Sequence, residues 1–151
     1  MPASTPVPAL TIAPIADADV SAVTTLWQRA GLTRPWNDPA ADIALARNGE
    51  NAAVLVGRDG SGIVASVLVG HDGHRGWVYY VAVDPDCRHQ GYGGLIMGAA
   101  EDWLRARGIA KLQLMVRPGN SKVQAFYESI GYDEQERITY AKWLDGREMT
   151  P

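Results

Sequence analysis

Apolar residues occur along this chain in two patterns, one typical of helices and one typical of strands. Apolar positions every three or four residues predict helices over residues 17–30, 94–107 and 121–130. Pro39 suits the first turn of a further short helix that ends near Arg47. Short apolar runs bounded by turn residues predict strands over residues 10–15, 53–58, 63–70, 77–83, 111–116 and 137–143.

The predicted order is β-α-α-β-β-β-α-β-α-β, which is neither a regular βαβ repeat nor a segregated α+β chain. We therefore expect an α/β fold with a mixed sheet and helices on both faces. The strand over 77–83 is apolar on both faces, which predicts a central place in the sheet. Asp17 is expected to cap the first helix, and Asn120 or Ser121 the last.

Length and composition describe an ordinary single domain of 151 residues. We expect a flexible lead-in over 1–9, one domain over 10–144 and a tail over 145–151. The single cysteine excludes an internal disulfide, and an evenly spread net charge of −3 argues against a nucleic-acid binder. No apolar run approaches the ~20 residues that span a membrane. No basic residue precedes Arg29, so no signal peptide is predicted and a cytoplasmic location is expected.

Glycine is concentrated in one loop, where four of the 16 glycines lie between Gly91 and Gly98. Glycine costs conformational entropy, so the cluster suggests that something approaches the backbone closely. Successive N–H groups without side chains, next to a helix predicted to start at Gly94, would form a cradle for an anion such as a phosphate. Gly98 lies within the predicted helix, where close packing against the sheet would explain it.

Three other interpretations of this loop are weaker. A dinucleotide fingerprint would need a third glycine where Ile96 stands, and an acidic ribose partner where Lys111 stands. The lysine of a triphosphate-binding loop is also missing. Glycines that only turn the chain remain an alternative, but they do not account for three glycines within four positions.

The loop resembles the acetyl-CoA signature R/Q-x-x-G-x-G/A of the GNAT superfamily of N-acetyltransferases, with Arg88, Gly91 and Gly93 at the signature positions. A second segment, from Asn120 through Phe126-Tyr127 to Gly131-Tyr132, resembles the motif N-x-x-A-x-x-F-Y-x-x-x-G-F/Y of that family. The alanine of the motif stands two places later here, as Ala125. The loops at 34–38 and 73–77 resemble a small bacterial YpeA-type subgroup.

The resemblance implies a GNAT fold and acetyl-CoA as the co-substrate, with no metal. Backbone amides of the loop would hold the pyrophosphate of coenzyme A, and the preceding strand would pair with the pantetheine arm. Asn120 would also bind that arm, unless it only caps its helix. The implied cofactor-binding residues are Val81, Ala82, Val83, Arg88, His89, Gln90, Gly91, Tyr92, Gly93, Gly94, Asn120 and Tyr127.

The implied reaction is direct attack of a primary amine on the thioester through a tetrahedral intermediate. The backbone N–H of Val81 or Ala82 would stabilise the oxyanion. Tyr127 would hydrogen-bond the departing sulfur as the catalytic residue, unless its ring only packs in the helix face. Family members carry a glutamate as the general base on one of two strands, which correspond here to residues 77–84 and 111–117, and neither of these contains a glutamate. Several candidates for the base therefore stay open: Tyr79 or Tyr80 through water, His74, Asp38 or a water relay.

The acceptor site is expected to combine aromatic and acidic groups, which would suit a cationic amine. Trp36 lies in a polar loop and has no helical face to pack in, which suggests a role in binding the acceptor. A local hydrophobic clamp is the alternative. The candidate acceptor-binding residues are Trp36, Asn37, Asp38, His74, Trp77, Tyr79 and Tyr80.

Zinc and a cysteine nucleophile are both disfavoured. His71, His74, Cys87 and His89 include metal-ligand types but no recognised structural spacing, and no third group is evident to orient a Cys87 thiolate. A second functional hypothesis is a CoA-binding sensor or regulatory module without turnover. The expected partners are acetyl-CoA and an amine on a small molecule or peptide, without nucleic acid or membrane, in a monomer or homodimer.

Overall fold

The computed structural model describes residues 9–149, so nearly all of the predicted lead-in over 1–9 lies outside the described residues. Within them the chain divides into two compact units, one ending at Met115 and the other beginning at Val116. The single domain expected over 10–144 stays a prediction, and each unit is described by itself.

The first unit is built on a five-stranded mixed sheet in the order β1-β2-β3-β4-β5. The strands are β1 Thr11–Pro14, β2 Ala52–Asp59, β3 Gly62–His71, β4 Gly76–Val83 and β5 Leu112–Gln113. The first four pair antiparallel, and β5 pairs parallel to β4. The predicted mixed sheet is confirmed. However, β3 is the middle strand, and β4 lies second from an edge.

The described part of this unit contains three α-helices, namely α1 Val20–Arg29, α2 Pro39–Arg47 and α3 Tyr92–Arg105. The prediction that Asp17 caps the first helix is wrong, because a 3-10 turn over Asp17–Asp19 precedes α1. This turn brings the Asp19 carboxylate, rather than that of Asp17, to the Ala16 N–H at 2.9 Å. Asp17 instead pairs with Arg47 at 2.8 Å.

Helices α1 and α2 share a core with the sheet that includes Trp27, Ile43, Val56 and Ala82, all 2% exposed or less. Helix α3 packs against β2, β3 and β4. Gly76 of β4 shows this contact directly, since a Cβ there would collide with Leu104 of α3.

The sequence predictions for α3 need three corrections. The helix begins at Tyr92, not Gly94, because Gly91 already ends the loop with a left-handed φ of 77°. Leu95, one of the apolar residues of the predicted helix, is 47% exposed, whereas Met97 is fully buried. A Cβ on Gly98 would meet nothing within 4 Å, so close packing does not explain that glycine.

Strand β4 contains a β-bulge. Ser66 of β3 is opposite Ala82 and Leu68 is opposite Tyr79, so two residues of β4 oppose one residue of β3. Tyr80 lies in the bulge with a φ of 52°, a conformation that L side chains rarely adopt. The extra residue reverses the alternation of the strand: Gly76 faces α3, whereas Ala82 packs with α1 and α2.

The second unit contains helix α4, Ser121–Ser129. Asn120 caps it by accepting from the Val123 N–H at 3.4 Å, as predicted, and Gly131 follows with a φ of 97°. The strand predicted over 137–143 is wrong, because the structure assigns no strand to this described segment. Ile138 and Tyr140 are 82% and 90% exposed, so the apolar residues that suggested a strand are not buried.

Candidate functional site

The glycine loop joins β4 to α3. Asp84 caps a 3-10 turn, Pro85–Cys87, by accepting from the Asp86 N–H at 2.9 Å. His89 then has a φ of 66° and Gly91 a φ of 77°. Because a Cβ at Gly91 would meet open space, the backbone conformation rather than crowding favours glycine there.

The start of α3 presents a row of backbone donors. The first hydrogen bond of the helix runs from the Leu95 N–H to the Gly91 carbonyl at 3.2 Å. The N–H groups of Tyr92, Gly93 and Gly94 therefore have no partner inside the helix. They form the positive end of the helix dipole, and two of the three carry no side chain that could cover them.

Tyr92 anchors this helix start. Its side chain is 1% exposed, and its hydroxyl donates to Asp59 Oδ2 at 3.2 Å. Asp59 also accepts from the Ser61 hydroxyl at 2.6 Å, and this bond, with that from the Ser61 N–H, lowers the pKa of the carboxyl. Burial raises the pKa of Tyr92. The phenol thus ties the helix start to the turn between β2 and β3.

Arg29, at the end of α1, supports the loop from another direction. Its guanidinium contacts Asp84 at 2.6 Å and Asp86 at 2.9 Å. The hydrogen bond to Asp86 is the main reason that the pKa of Arg29 is raised. Two carboxylates next to a candidate anion site are thereby neutralised. Sequence reasoning missed Arg29 because its partners are more than 50 positions away along the chain.

The bulge of β4 is held by side chains from three elements. Trp27 Nε1 donates to Ser66 Oγ at 2.8 Å, and Ser66 Oγ donates to the Tyr80 carbonyl at 3.0 Å. The Tyr80 hydroxyl donates to Asp42 Oδ2 at 2.6 Å. Burial, with the Asp42 carboxylate, raises the pKa of Tyr80. A phenol that already donates to a carboxylate is poorly suited to the role of general base.

The candidate acceptor residues fall into two groups in the first unit. Asp38 caps α2 by accepting from the Ala41 N–H at 3.2 Å, and its charge also acts on Tyr80. Asn37 closes the same loop through its N–H, which donates to the Arg34 carbonyl at 3.1 Å. Trp36 lies half-buried beside it.

The second group surrounds Asp72 in the turn before β4. The Asp72 carboxylate accepts from the His74 N–H at 2.9 Å and from Trp77 Nε1 at 3.3 Å. Burial raises the pKa of the Tyr79 hydroxyl, and Asp72 adds to this effect. Sequence reasoning missed Asp72 as the residue that organises this turn, although an aspartate opening a turn is a recognisable signal.

Tyr127 and Asn120 lie in the second unit, whereas the other candidate residues lie in the first. The Tyr127 ring meets Phe126 and Tyr132 edge-on, with centroid distances of 5.0 and 5.9 Å. Burial raises the pKa of Tyr127 to about 12. The hydroxyl therefore keeps its proton at neutral pH and can act as a hydrogen-bond donor.

Other chemistry finds little support in the described residues. Burial raises the pKa of the Cys87 thiol, with nearby aspartates adding to the effect, so the thiolate is disfavoured. Residues 9–149 hold no group of three or more His, Cys, Asp or Glu arranged to bind a metal ion. Over the same range no helix is long and apolar enough to cross a bilayer.

Comparison with known proteins decides the family. The profile of the acetyltransferase (GNAT) family matches residues 20–132. The chain belongs to the GNAT acetyltransferase family. An acetyltransferase of Pectobacterium atrosepticum, ECA0875, is 44% identical over 126 residues, which are 83% of this chain and 89% of that protein. Another of Yersinia enterocolitica, YE1169, is 39% identical over 84% of this chain and 90% of its own length.

Solved structures agree with this GNAT assignment. The ribosomal-protein-S18-alanine N-acetyltransferase of Escherichia coli superposes with a TM-score of 0.73 at 30% identity, covering 92% of this chain and 88% of that one. The aminoglycoside acetyltransferase AAC(6')-Iy, in complex with a CoA-containing bisubstrate analogue, gives a TM-score of 0.77 over 89% of this chain and 98% of that one. At 14% identity, the latter shows the fold alone.

Proposed function

We propose that this GNAT acetyltransferase moves an acetyl group from acetyl-CoA to a cationic primary amine by direct attack, as a cytoplasmic monomer or homodimer. The observation that carries the proposal is the row of free N–H groups at Tyr92, Gly93 and Gly94. They follow a loop that bears the signature residues Arg88 and Gly91. Backbone dipoles of this kind bind a pyrophosphate without lysines, which suits a chain of net charge −3.

In the proposed reaction the acceptor ammonium first loses a proton to water. The neutral amine then attacks the thioester carbon, and a tetrahedral oxyanion forms. The N–H of Val81 stabilises this oxyanion. The register favours Val81 over Ala82, because Ala82 pairs with Ser66 in the ladder. The carbon–sulfur bond then breaks, the thiolate leaves and the ammonium proton passes through water to the sulfur. The products are an amide and free CoA.

Tyr127 is proposed to hydrogen-bond the departing sulfur rather than to protonate it fully. With a phenol pKa of about 12 and an alkyl thiol pKa of ~8.5, full proton transfer is uphill by roughly 5 kcal/mol. A hydrogen bond to the developing charge avoids that cost and still stabilises the transition state.

A cationic acceptor is supported by the carboxylates near the bulge. The Asp42 carboxylate lies 2.6 Å from the Tyr80 hydroxyl, and Asp38 lies near enough to influence the same phenol. The 30% identical relative acts, by its name, on an alanine of ribosomal protein S18. A peptide that begins with alanine is therefore the first acceptor to test, with the aminoglycoside neamine and spermidine beside it.

The test is a thiol-release assay with acetyl-CoA and each of the three amines, and with glutamate as an amine of net negative charge, with the acceptor mass measured afterwards. We expect release above the acceptor-free rate with at least one cationic amine, together with an equal amount of acetylated acceptor. A neutral or anionic amine as the preferred acceptor would contradict the cationic site. Tight CoA binding without release from any amine would favour a CoA-binding regulatory module.

A further inference from the structure

Ser66 is a polar residue in an apolar stretch of β3. Its neighbours Ala65 and Val67 are fully buried, and Ser66 itself is 0% exposed. A buried hydroxyl is costly unless it is hydrogen-bonded, and Ser66 makes two hydrogen bonds. This pairing indicates a specific task for the hydroxyl within the fold.

The direction of each hydrogen bond follows from chemistry. The indole N–H of Trp27 can only donate, and the Tyr80 carbonyl can only accept. Ser66 Oγ therefore accepts from Trp27 at 2.8 Å and must send its own hydrogen to the Tyr80 carbonyl at 3.0 Å. Because Trp27 is completely buried, this chain of donors is shielded from water.

Holding the Tyr80 carbonyl also fixes the next N–H group. In a planar trans peptide the carbonyl and the following N–H point in opposite directions. The Val81 N–H is therefore directed away from Ser66. Among the described strands, the register gives neither Tyr80 nor Val81 a Cα partner, so the regular ladder is interrupted at this N–H.

Tyr80 needs support to keep this conformation. Its φ of 52° lies in the left-handed region, which a tyrosine adopts only when its surroundings impose it. Trp27 stacks on the Tyr80 ring with centroids 3.7 Å apart, and Asp42 accepts from its hydroxyl. Trp27 and Asp42 contact the Tyr80 side chain, whereas the Ser66 hydroxyl holds the Tyr80 carbonyl and thus the peptide unit itself.

We propose that Ser66 is a positioning residue for acetyl transfer, which holds the Tyr80–Val81 peptide so that the Val81 N–H points at the oxyanion. The inference rests on the proposed function, because it needs an oxyanion at that N–H. Ser66 does not touch the substrate. It acts through the carbonyl that it holds, as Trp27 acts through Ser66.

The test compares Ser66→Ala with Val54→Ala, a matched truncation in the same buried core but on β2. Removing an oxyanion donor costs about 100-fold to 1000-fold in kcat. Because Ser66→Ala misdirects that donor without deleting it, we expect kcat to fall about 10-fold to 100-fold. KM for acetyl-CoA should stay within about twofold, and Val54→Ala should keep its kcat per folded molecule.

Amide NMR adds a readout that does not depend on turnover. In Ser66→Ala, the Val81 amide signal should shift or broaden as the peptide gains freedom, and in Val54→Ala it should not. An unchanged Val81 signal, or a kcat that falls only as far as in Val54→Ala, would overturn the proposal for Ser66. Absence of turnover in the wild type would overturn the proposed function instead, and the NMR comparison would still decide whether Ser66 holds the peptide.

Discussion

Trp27 of α1 and Tyr80 of β4 stack face to face, with ring centroids 3.7 Å apart and ring planes within 3° of parallel. The contact joins α1 to the β-bulge of β4. One buried tryptophan therefore serves both packing and the shape of the candidate site. Its indole N–H, bonded to Ser66, links these two roles.

Trp27→Phe should lower the free energy of unfolding by about 1–2 kcal/mol. The substitution leaves a small cavity and removes the donor that Ser66 Oγ needs. Urea unfolding of the two proteins measures the difference. Trp77→Phe is the matched control, because the indole N–H of Trp77 meets an exposed carboxylate at 3.3 Å, and we expect a change under about 0.5 kcal/mol there. Equal losses in both variants would contradict the role given to Trp27.

Arg29→Ala should raise KM for acetyl-CoA about threefold to tenfold with little change in kcat. The loss leaves Asp84 and Asp86 unneutralised beside the proposed pyrophosphate site, where they repel the ligand. Initial-rate kinetics at low ionic strength give the largest effect, because salt screens the repulsion.

A second substitution makes the Arg29 argument sharper. If repulsion is the cause, Arg29→Ala combined with Asp86→Asn should recover part of the lost affinity. Arg47→Ala, which breaks the exposed pair with Asp17, serves as the control and should leave KM unchanged. A double variant no better than Arg29→Ala alone would show that the charge is not what matters.

Tyr127→Phe should lower kcat about tenfold and leave KM for acetyl-CoA within about twofold, because the hydroxyl acts on the sulfur only as it departs. Since burial raises the pKa of Tyr127 to about 12, the hydroxyl stays protonated through pH 10. The wild-type pH–rate profile should therefore show no loss below pH 10 from this group. Tyr132→Phe, which removes the hydroxyl from an adjacent ring, is the control, and equal effects in both variants would rule out a specific role.

Asp19 should make stability depend on pH at the acid end. Its hydrogen bond from Arg58 lowers the pKa of the carboxyl in the folded state, below the unfolded value of about 3.9. The contribution is therefore present above about pH 4 and is lost as pH falls through the folded value. From pH 7 to pH 3 the urea midpoint of the wild type should fall further than that of Asp19→Asn. Equal falls in the two proteins would contradict this role of Asp19.

Much of the fold followed from local signals in the sequence. Pro39 predicted the first turn of α2, and the turn residues around the apolar runs at 53–58 and 63–70 predicted two separate strands, because both signals depend on neighbouring residues. The strand predicted over 137–143 failed because a short apolar run alone does not supply a hydrogen-bonded neighbour. Locally encoded elements were thus predicted better than elements that depend on distant pairing.

The candidate site divides in the same way. The glycine loop could be predicted because its residues are consecutive and carry a motif. Arg29, Asp42 and Ser66 could not, since each acts on a residue at least 14 positions away. The bulge at Tyr80 was also invisible, because a tyrosine in the left-handed region is imposed by tertiary contacts and has no local signature.

The initial rate of CoA-thiol release, with acetyl-CoA and the accepted amine both varied, tests acetyl transfer most directly. Direct attack within one complex predicts a rate that saturates with both substrates and double-reciprocal lines that intersect, with one acetylated acceptor formed for each thiol. Parallel lines would indicate an acetyl-enzyme and contradict direct attack. Thiol release no faster than in the enzyme-free blank, with CoA still bound, would contradict the proposed function itself.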